Sequence, residues 1–142
     1  MSKRKIKVKV LALIQHRGQI LVSEGFDKKK NETFYRPLGG KVEFGETVNE
    51  ALVREMMEEI SAKIKIKKQV CILESLFTFN GKSGHEYVYV LSADFVSQAL
   101  YQKKTFKVIE KKQTRRAMWI PLESFLSKEK ILYPNGLLEF LE

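Results

Sequence analysis

Cysteine is scarce in this chain of 142 residues, and long apolar runs are missing. A single thiol, Cys71, excludes an internal disulfide and agrees with a reducing compartment. With no activating neighbour in view, Cys71 reads as a small residue packed in a strand. No segment approaches the ~20 apolar residues that a membrane-spanning helix needs. The basic start "MSKRKIKVKV" runs straight into alternating Lys and aliphatic residues, a strand pattern and not an export signal. The expected location is therefore cytoplasmic, with no membrane partner. No repeat, low-complexity tract or interdomain linker interrupts the chain, so residues 1–142 are expected to form one domain around one core. The deficit of acid is the largest imbalance: 26 Lys and Arg face 17 Asp and Glu, for a net charge of +9. A surface of that sign attracts anions, nucleotides and nucleic acid among them.

What is present is a succession of strand patterns around one amphipathic segment. "IKVKVLALIQ" alternates and then becomes continuously apolar, as a strand does when it enters a core. "HRGQILVSEG" reads as a hairpin, with His16 at a strand end in a structural role. "FDKKKNET" is a polar loop whose Lys28 to Lys30 form a solvated stretch, and "FYRPLGG" is a short extended piece. "AKIKIKKQVCILESLFTF", the turn "NGKSG" and "HEYVYVLSADFV" make a long antiparallel pair, with His85 near its turn. "QKKTFKVIEKKQT" is expected to be a loop. "RRAMWIPLESF" runs from a strand, with Trp119 in the core, into a Pro-started helical turn, and "YPNGLLEFLE" closes as a short helix. This order gives a mixed-sheet α/β domain with helices on both faces.

The amphipathic segment is "GGKVEFGETVNEALVREMMEEISAKI". Thr47 and Glu50 have the spacing of a capping box, which starts a helix at Thr47. At about 100° per residue, Val53, Met56, Met57 and Ile60 share one face, the expected buried stripe. Glu55, Glu58 and Glu59 then fall on the opposite side, within about 100° of one another. Like charges at such spacing cost a few tenths of a kcal/mol per pair, and the helix dipole disfavours them so late in the helix. A divalent cation would turn that repulsion into attraction, and Mg²⁺ takes oxygen ligands of this kind. Ahead of the helix, Gly39, Gly40 and Gly45 permit a tight loop, and Glu46 stands at the helix entrance.

This stretch resembles the signature of the Nudix hydrolases: Gly, five residues, Glu, seven residues, Arg-Glu, an aliphatic, any residue, Glu-Glu, any residue, Gly, an aliphatic. It maps onto Gly40, Glu46, Arg54, Glu55, Met56, Glu58, Glu59, Ser61 and Ala62. The six most discriminating positions match, a coincidence on the order of 10⁻⁵ at average composition. Ser61 departs from the usual Gly, and Ala62 is a small stand-in for the aliphatic, which puts the helix end in question and removes no ligand. The match covers Gly40 to Ala62. The resemblance implies a Nudix-like α/β/α sandwich with a mixed β-sheet flanked by helices. It also implies hydrolysis of a pyrophosphate bond in a nucleoside diphosphate linked to another moiety, or in a nucleoside triphosphate, with Mg²⁺ or Mn²⁺. By analogy Glu55, Glu58 and Glu59 are the metal ligands, and the carbonyl of Gly39 or Gly40 is a further one. Arg54 then orients carboxylates, and Glu46 positions the loop or a water. Relatives are often dimers, so a homodimer is among the expectations.

Outside the box, Glu86 and Glu110 are candidates for a general base, and Glu86 also for substrate contact. Arg36, close to the glycines, suits a bidentate phosphate clamp. Phe26, Phe34, Phe77, Phe79 and Tyr87 could stack on a base, though aromatics in strands more often pack a core. The expected partner is an anionic, nucleotide-type small molecule. Two alternatives are the 5′ end of RNA, which the positive charge would suit, and a module that senses a nucleotide without cleaving it.

Overall fold

Alternating side chains lay down nine strands in the computed structural model, which describes residues 4–111 and 113–141. A four-stranded sheet has the order β5 (Gly39–Lys41), β1 (Ile6–Leu13), β7 (Lys82–Phe95) and β6 (Ile64–Phe79). It is mixed, because β1 runs parallel to β7 while its other pairings are antiparallel. A second sheet is antiparallel throughout. It has the order β2 (Gln15–His16), β3 (Gln19–Asp27), β9 (Gln113–Pro121) and β8 (Thr105–Glu110), with β4 (Glu32–Pro37) also on β3. The hairpins β2–β3 and β6–β7 turn on Arg17-Gly18 and Asn80-Gly81, all four at positive φ. Two-residue turns of that kind match the twist of the strands they join.

The strand β8 lies inside a segment expected to be a loop. Its alternation is real: Phe106 and Val108 are buried while Lys107 and Ile109 point outward. At the C-terminal end, α2 (Leu122–Leu126) follows Pro121 as expected. Residues Leu137–Phe140 form one 3-10 turn and not an α-helix. Among the described residues no helix is long and apolar enough to cross a membrane.

Helix α1 (Val48–Ile60) carries the expected capping box. The Thr47 hydroxyl accepts from Glu50 N–H at 3.1 Å, and the Glu50 carboxylate accepts from Thr47 N–H at 2.9 Å. Its buried face differs from the expected stripe. Ala51, Leu52, Met56 and Glu59 are buried, whereas Val53 and Met57 are 45% and 42% exposed. The helix packs on β1, β5, β6 and β8, and Leu52 and Met56 join Val10, Leu91, Phe106 and Val108 in one core cluster. Of the expected stripe Met56 is buried and Ile60 packs on the core, while Val53 and Met57 do not, because the inward face is rotated to include a glutamate. The helix ends at Ser61, which adopts the left-handed conformation (φ 54°) where glycine is usual and directs its N–H to the Met56 and Met57 carbonyls.

A second cluster fills the space on the other side of the mixed sheet, with Leu11, Val88 and Val90 against Ile20, Val22, Phe125 and Leu137. Along β3 the odd-numbered residues share one face. Leu21 belongs to the core under α1. Ser23 and Gly25 continue the same face beyond it, opposite Arg36 and Phe34 of β4. The sheet thus passes from helix-covered core into an open cleft along one row of residues.

Candidate active site

Two glycines bring the helix carboxylates against a strand. Gly39 has φ 155°, and any side chain on it would run into the Val10 carbonyl and the Leu11 backbone. A Cβ on Gly40 would strike the Glu55 carboxyl. Glycine at both positions therefore lets β5 lie on β1 and lets Glu55 lie on β5.

Arg54 gathers three of the glutamates. Its Nε and Nη2 donate to the two oxygens of Glu46 at 2.6 and 2.9 Å, a forked pair of the strong, geometry-specific kind. Nη1 donates to Glu55 Oε2 at 3.1 Å and to Glu58 Oε1 at 3.0 Å, and Nη2 also reaches the Lys41 carbonyl at 3.0 Å. Glu46 accepts from Glu43 N–H as well, at 3.0 Å. The guanidinium first, and that backbone bond second, hold the Glu46 carboxyl down at about 2. Glu46 thereby ties the loop to the helix. Arg54 itself is shifted upward, chiefly by Glu46.

Glu59 has no such partner. It is 2% exposed, and neither carboxylate oxygen makes a hydrogen bond. Burial, then the negative charges of Glu55 and Glu110, push its pKa up to about 8; Arg115 and the backbone of Gly39 pull weakly the other way. The Glu55 pKa is also raised, by burial above all, against the pull of Arg54. Both carboxylates therefore resist ionisation in the absence of a cation. Glu58 is 58% exposed on the outer side of the helix, with one oxygen on Arg54. The expectation that Glu59 is solvent-exposed fails because the helix turns residues 52, 56 and 59 inward.

The donor set fits a hard divalent ion. Glu59 offers two unpartnered oxygens, Arg54 occupies only Oε2 of Glu55, and the backbone of Gly39 and Gly40 adjoins both residues. Mg²⁺ and Mn²⁺ favour such oxygens and keep several waters. Among the described residues no three His, Cys, Asp or Glu side chains are grouped as a metal cage. An ion here would thus draw first on Glu55 and Glu59, with water filling most of the remaining positions.

Beside these carboxylates lies a cleft of ≈ 530 Å³ lined by residues of both sheets, including Lys7, Phe34, Arg36, Phe77, Glu86 and Arg115. Glu86 is buried between Lys9 Nζ and Arg36 Nη2, each at 3.9 Å. Arg36 faces the cleft, as a phosphate clamp would, and burial lowers its pKa. Glu110 is paired with Arg115 at 2.6 Å. The sequence reading missed Arg115, placing it only at the start of the strand "RRAMWIPLESF". Its parity was the available signal, since Arg115 shares a strand face with the buried Ala117. Lys30 and Phe79 also line the cleft, and the remaining candidates lie elsewhere. His85 and Tyr87 both bond Glu74 across the strands, at 3.0 and 3.1 Å. His16 packs on Tyr101 with ring centroids 4.6 Å apart. Trp119 packs against the core, and Cys71 is buried.

A glycine-backed loop and an arginine-organised row of carboxylates thus lie near a cleft lined by basic side chains. Residues 3–139 match the family model of the NUDIX domain, and the chain belongs to that family. Solved structures agree in fold. A NUDIX hydrolase from Nitrosomonas europaea superposes with a TM-score of 0.68 at 19% identity, covering 96% of this chain and 86% of that one. The MutT protein from Methanosarcina mazei Go1 gives 0.66 at 20% identity, with coverages of 99% and 93%. An ADP-ribose pyrophosphatase from Streptococcus suis gives 0.62 at 14% identity, with coverages of 96% and 89%.

Proposed function

We propose that the chain hydrolyses, with Mg²⁺ or Mn²⁺, a pyrophosphate bond in a nucleoside diphosphate linked to another moiety or in a nucleoside triphosphate. The buried, unpartnered carboxylate of Glu59 carries this reading. A charge in that position is destabilising unless something cationic joins it, and the neighbouring Glu55 deepens the demand. The ADP-ribose pyrophosphatase among the fold relatives supports the substrate class.

In this reading Glu55 and Glu59 hold the ion with backbone oxygen from Gly39, and Glu58 contributes from the outer side. The bound ion would supply Lewis-acid stabilisation of charge on the phosphoryl oxygens. Arg54 fixes the rotamers of Glu46, Glu55 and Glu58, so the carboxylates meet their ligand already ordered. Arg36 receives phosphate from the cleft side, and Glu86 positions it. Because Glu86 and Glu110 each sit against cations, their first role is to hold those cations in place.

The test is a product-identified assay of the purified protein across nucleoside triphosphates, ADP-ribose, nucleotide sugars, dinucleoside polyphosphates and triphosphorylated RNA. Divalent-dependent cleavage of an anhydride bond is expected, with Glu59→Gln lowering kcat by about a hundredfold or more. Failure to cleave any of them with either metal would leave a sensing module as the surviving interpretation.

A further inference from the structure

The two sheets that wall the cleft are tied to each other at their tips. Strands β3 and β4 of the antiparallel sheet turn at residues Lys28–Asn31, and β6 and β7 of the mixed sheet turn at Asn80-Gly81. These turns meet through a reciprocal pair of hydrogen bonds. Lys28 N–H donates to Asn80 Oδ1 at 2.8 Å, and Asn80 N–H donates to Asp27 Oδ2 at 3.2 Å. Asp27 also caps its own turn, accepting from the N–H groups of Lys29 and Lys30 at 3.0 Å each. Its carboxylate is thus shared between the two sheets, and the residue is 2% exposed. Phe34 meets Phe79 edge to face at 5.8 Å beside this clasp. Hairpin tips ordinarily end free in solvent, joined to nothing beyond their own strands.

The clasp stands at one end of the cleft. The lining runs along β3 through Ser23, Gly25 and Asp27, and along β6 through Ser75, Phe77 and Phe79. Ser23 pairs with Arg36 and Ser75 with Glu86, and Arg36 and Glu86 approach to 3.9 Å. Both walls therefore run the same distance from that charged pair to the clasp, about 13 Å at the rise of a strand. Tyr133 and Asn135 line the space from a third side, with the Tyr133 hydroxyl donating to Glu32 at 2.9 Å. The space between charged pair and clasp has the length of about one nucleoside, and a rigid tie marks its far end.

We propose that the clasp of Asp27 and Asn80 is an end stop: the cleft takes a ligand that ends in a single nucleoside and rejects one whose chain continues, as an RNA does beyond its first nucleotide. The proposal rests on the pyrophosphohydrolase reading only for the choice of nucleotides as ligands. A continuing chain has to part the two tips and break both hydrogen bonds between the sheets. The clasp thereby directs the site toward free nucleotides and away from nucleic-acid ends, although the net charge of +9 attracts both.

Calorimetry on the wild-type chain compares AMP with the 5′-phosphorylated dinucleotide pApA, in which a second nucleotide continues from the first. AMP should bind about tenfold or more tightly, the cost of parting two hydrogen bonds. Asn80→Gly removes the acceptor for Lys28 N–H and suits the positive φ of that turn. It should strengthen pApA binding about threefold or more and leave AMP binding unchanged. Asn80→Asp, which keeps the acceptor, should preserve the wild-type ratio. A merely loosened fold does not gain affinity for one ligand alone. Equal binding of AMP and pApA by the wild type, binding of neither, or an unaltered ratio in Asn80→Gly would overturn the end stop. Should Asn80→Gly unfold, hydrogen exchange of the wild type decides. The Lys28 and Asn80 amides must stay protected with AMP and lose protection at saturating pApA; equal protection with both ligands also overturns the proposal. Turnover of ATP with Mg²⁺ is followed in parallel. Its absence would remove the hydrolase reading without touching the clasp, and its presence with an unaltered binding ratio would do the reverse.

Discussion

Replacing Glu59 by glutamine should flatten a pH dependence that the wild-type chain cannot avoid in the absence of metal. The Glu59 carboxyl has its pKa pushed from 4.5 to about 8 in the folded chain. A raised carboxyl pKa means the folded state holds a proton that the unfolded state has released. Stability is therefore full below about pH 4.5, declines between about pH 4.5 and pH 8, and levels off above. At ~1.4 kcal/mol per pH unit, the loss from this one group reaches about 3 kcal/mol at pH 7 and about 5 kcal/mol above pH 8.

Glutamine keeps the shape and cannot ionise, so it removes the slope. It adds a pH-independent cost of about 1–3 kcal/mol for an unpaired buried amide. The difference between the two proteins is thus the diagnostic quantity. Urea unfolding of metal-free wild type and Glu59→Gln should show the variant gaining about 2 kcal/mol on the wild type between about pH 5 and pH 7. Saturating Mg²⁺ should then stabilise the wild type much more than the variant, because binding to the folded state adds to its stability. A stability difference that stays constant across this range would refute the reasoning, since it would mean the site solvates Glu59 as water does.

Further outcomes follow from individual contacts. Ser61→Gly should stabilise the chain by about 1 kcal/mol in thermal unfolding and leave kcat unchanged, because φ 54° strains serine and suits glycine. An unchanged or lower Tm would refute that. Gly40→Ala should raise the Mg²⁺ concentration needed for half-maximal activity about tenfold or more, as its methyl displaces the Glu55 carboxyl; an unaltered metal titration counts against Glu55 as a ligand. Arg36→Ala should raise KM for an anionic substrate about tenfold with kcat little altered, and an unchanged KM would take Arg36 out of the site. Asp27, held below its usual carboxyl range chiefly by the Lys30 amide, contributes stability that is present above pH 3.8 and lost as pH falls below it. Asp27→Asn should therefore show a shallower acid limb in urea unfolding, and an unchanged limb would refute its role.

The chemical identity of the site was legible in the sequence, and its orientation was not. Gly40, Glu46, Arg54, Glu55, Glu58 and Glu59 carry a spacing that chance does not produce, and their residue types name oxygen ligands and an anion's counter-charge. Hydrophobic periodicity, however, sees only apolar residues. The inward row of α1 is Leu52, Met56 and Glu59, so a functional carboxylate occupies a position the pattern scores as outside. Val53 and Met57 then appear buried while they face solvent. The same blindness hid β8, where Lys107 between Phe106 and Val108, after Lys103 and Lys104, looks like a loop until α1 is placed over the two apolar residues. The place of Arg115 depended on cross-strand register, which no single segment contains. Parity within "RRAMWI" marks Arg115 as inward, but only the pairing of β3 with β4 and β9 brings it into one cleft with Arg36.

The crowding of glutamates late in α1 resolves into two unlike solutions to one electrostatic problem. Glu46, Glu55 and Glu58 all share the Arg54 guanidinium, which also reaches the Lys41 carbonyl, although burial still outweighs it at Glu55. Glu59, one residue beyond Glu58, turns inward, where only the weak pull of Arg115 and the Gly39 backbone opposes its burial. A fold selected for stability alone would place leucine there, since a paired or absent charge is always cheaper to bury than a lone one. Keeping the charge makes sense only if the missing partner arrives from solution. That asymmetry also sets the order of events: the arginine-held carboxylates are in place before any ion binds, and the ion completes the single position the chain leaves uncompensated.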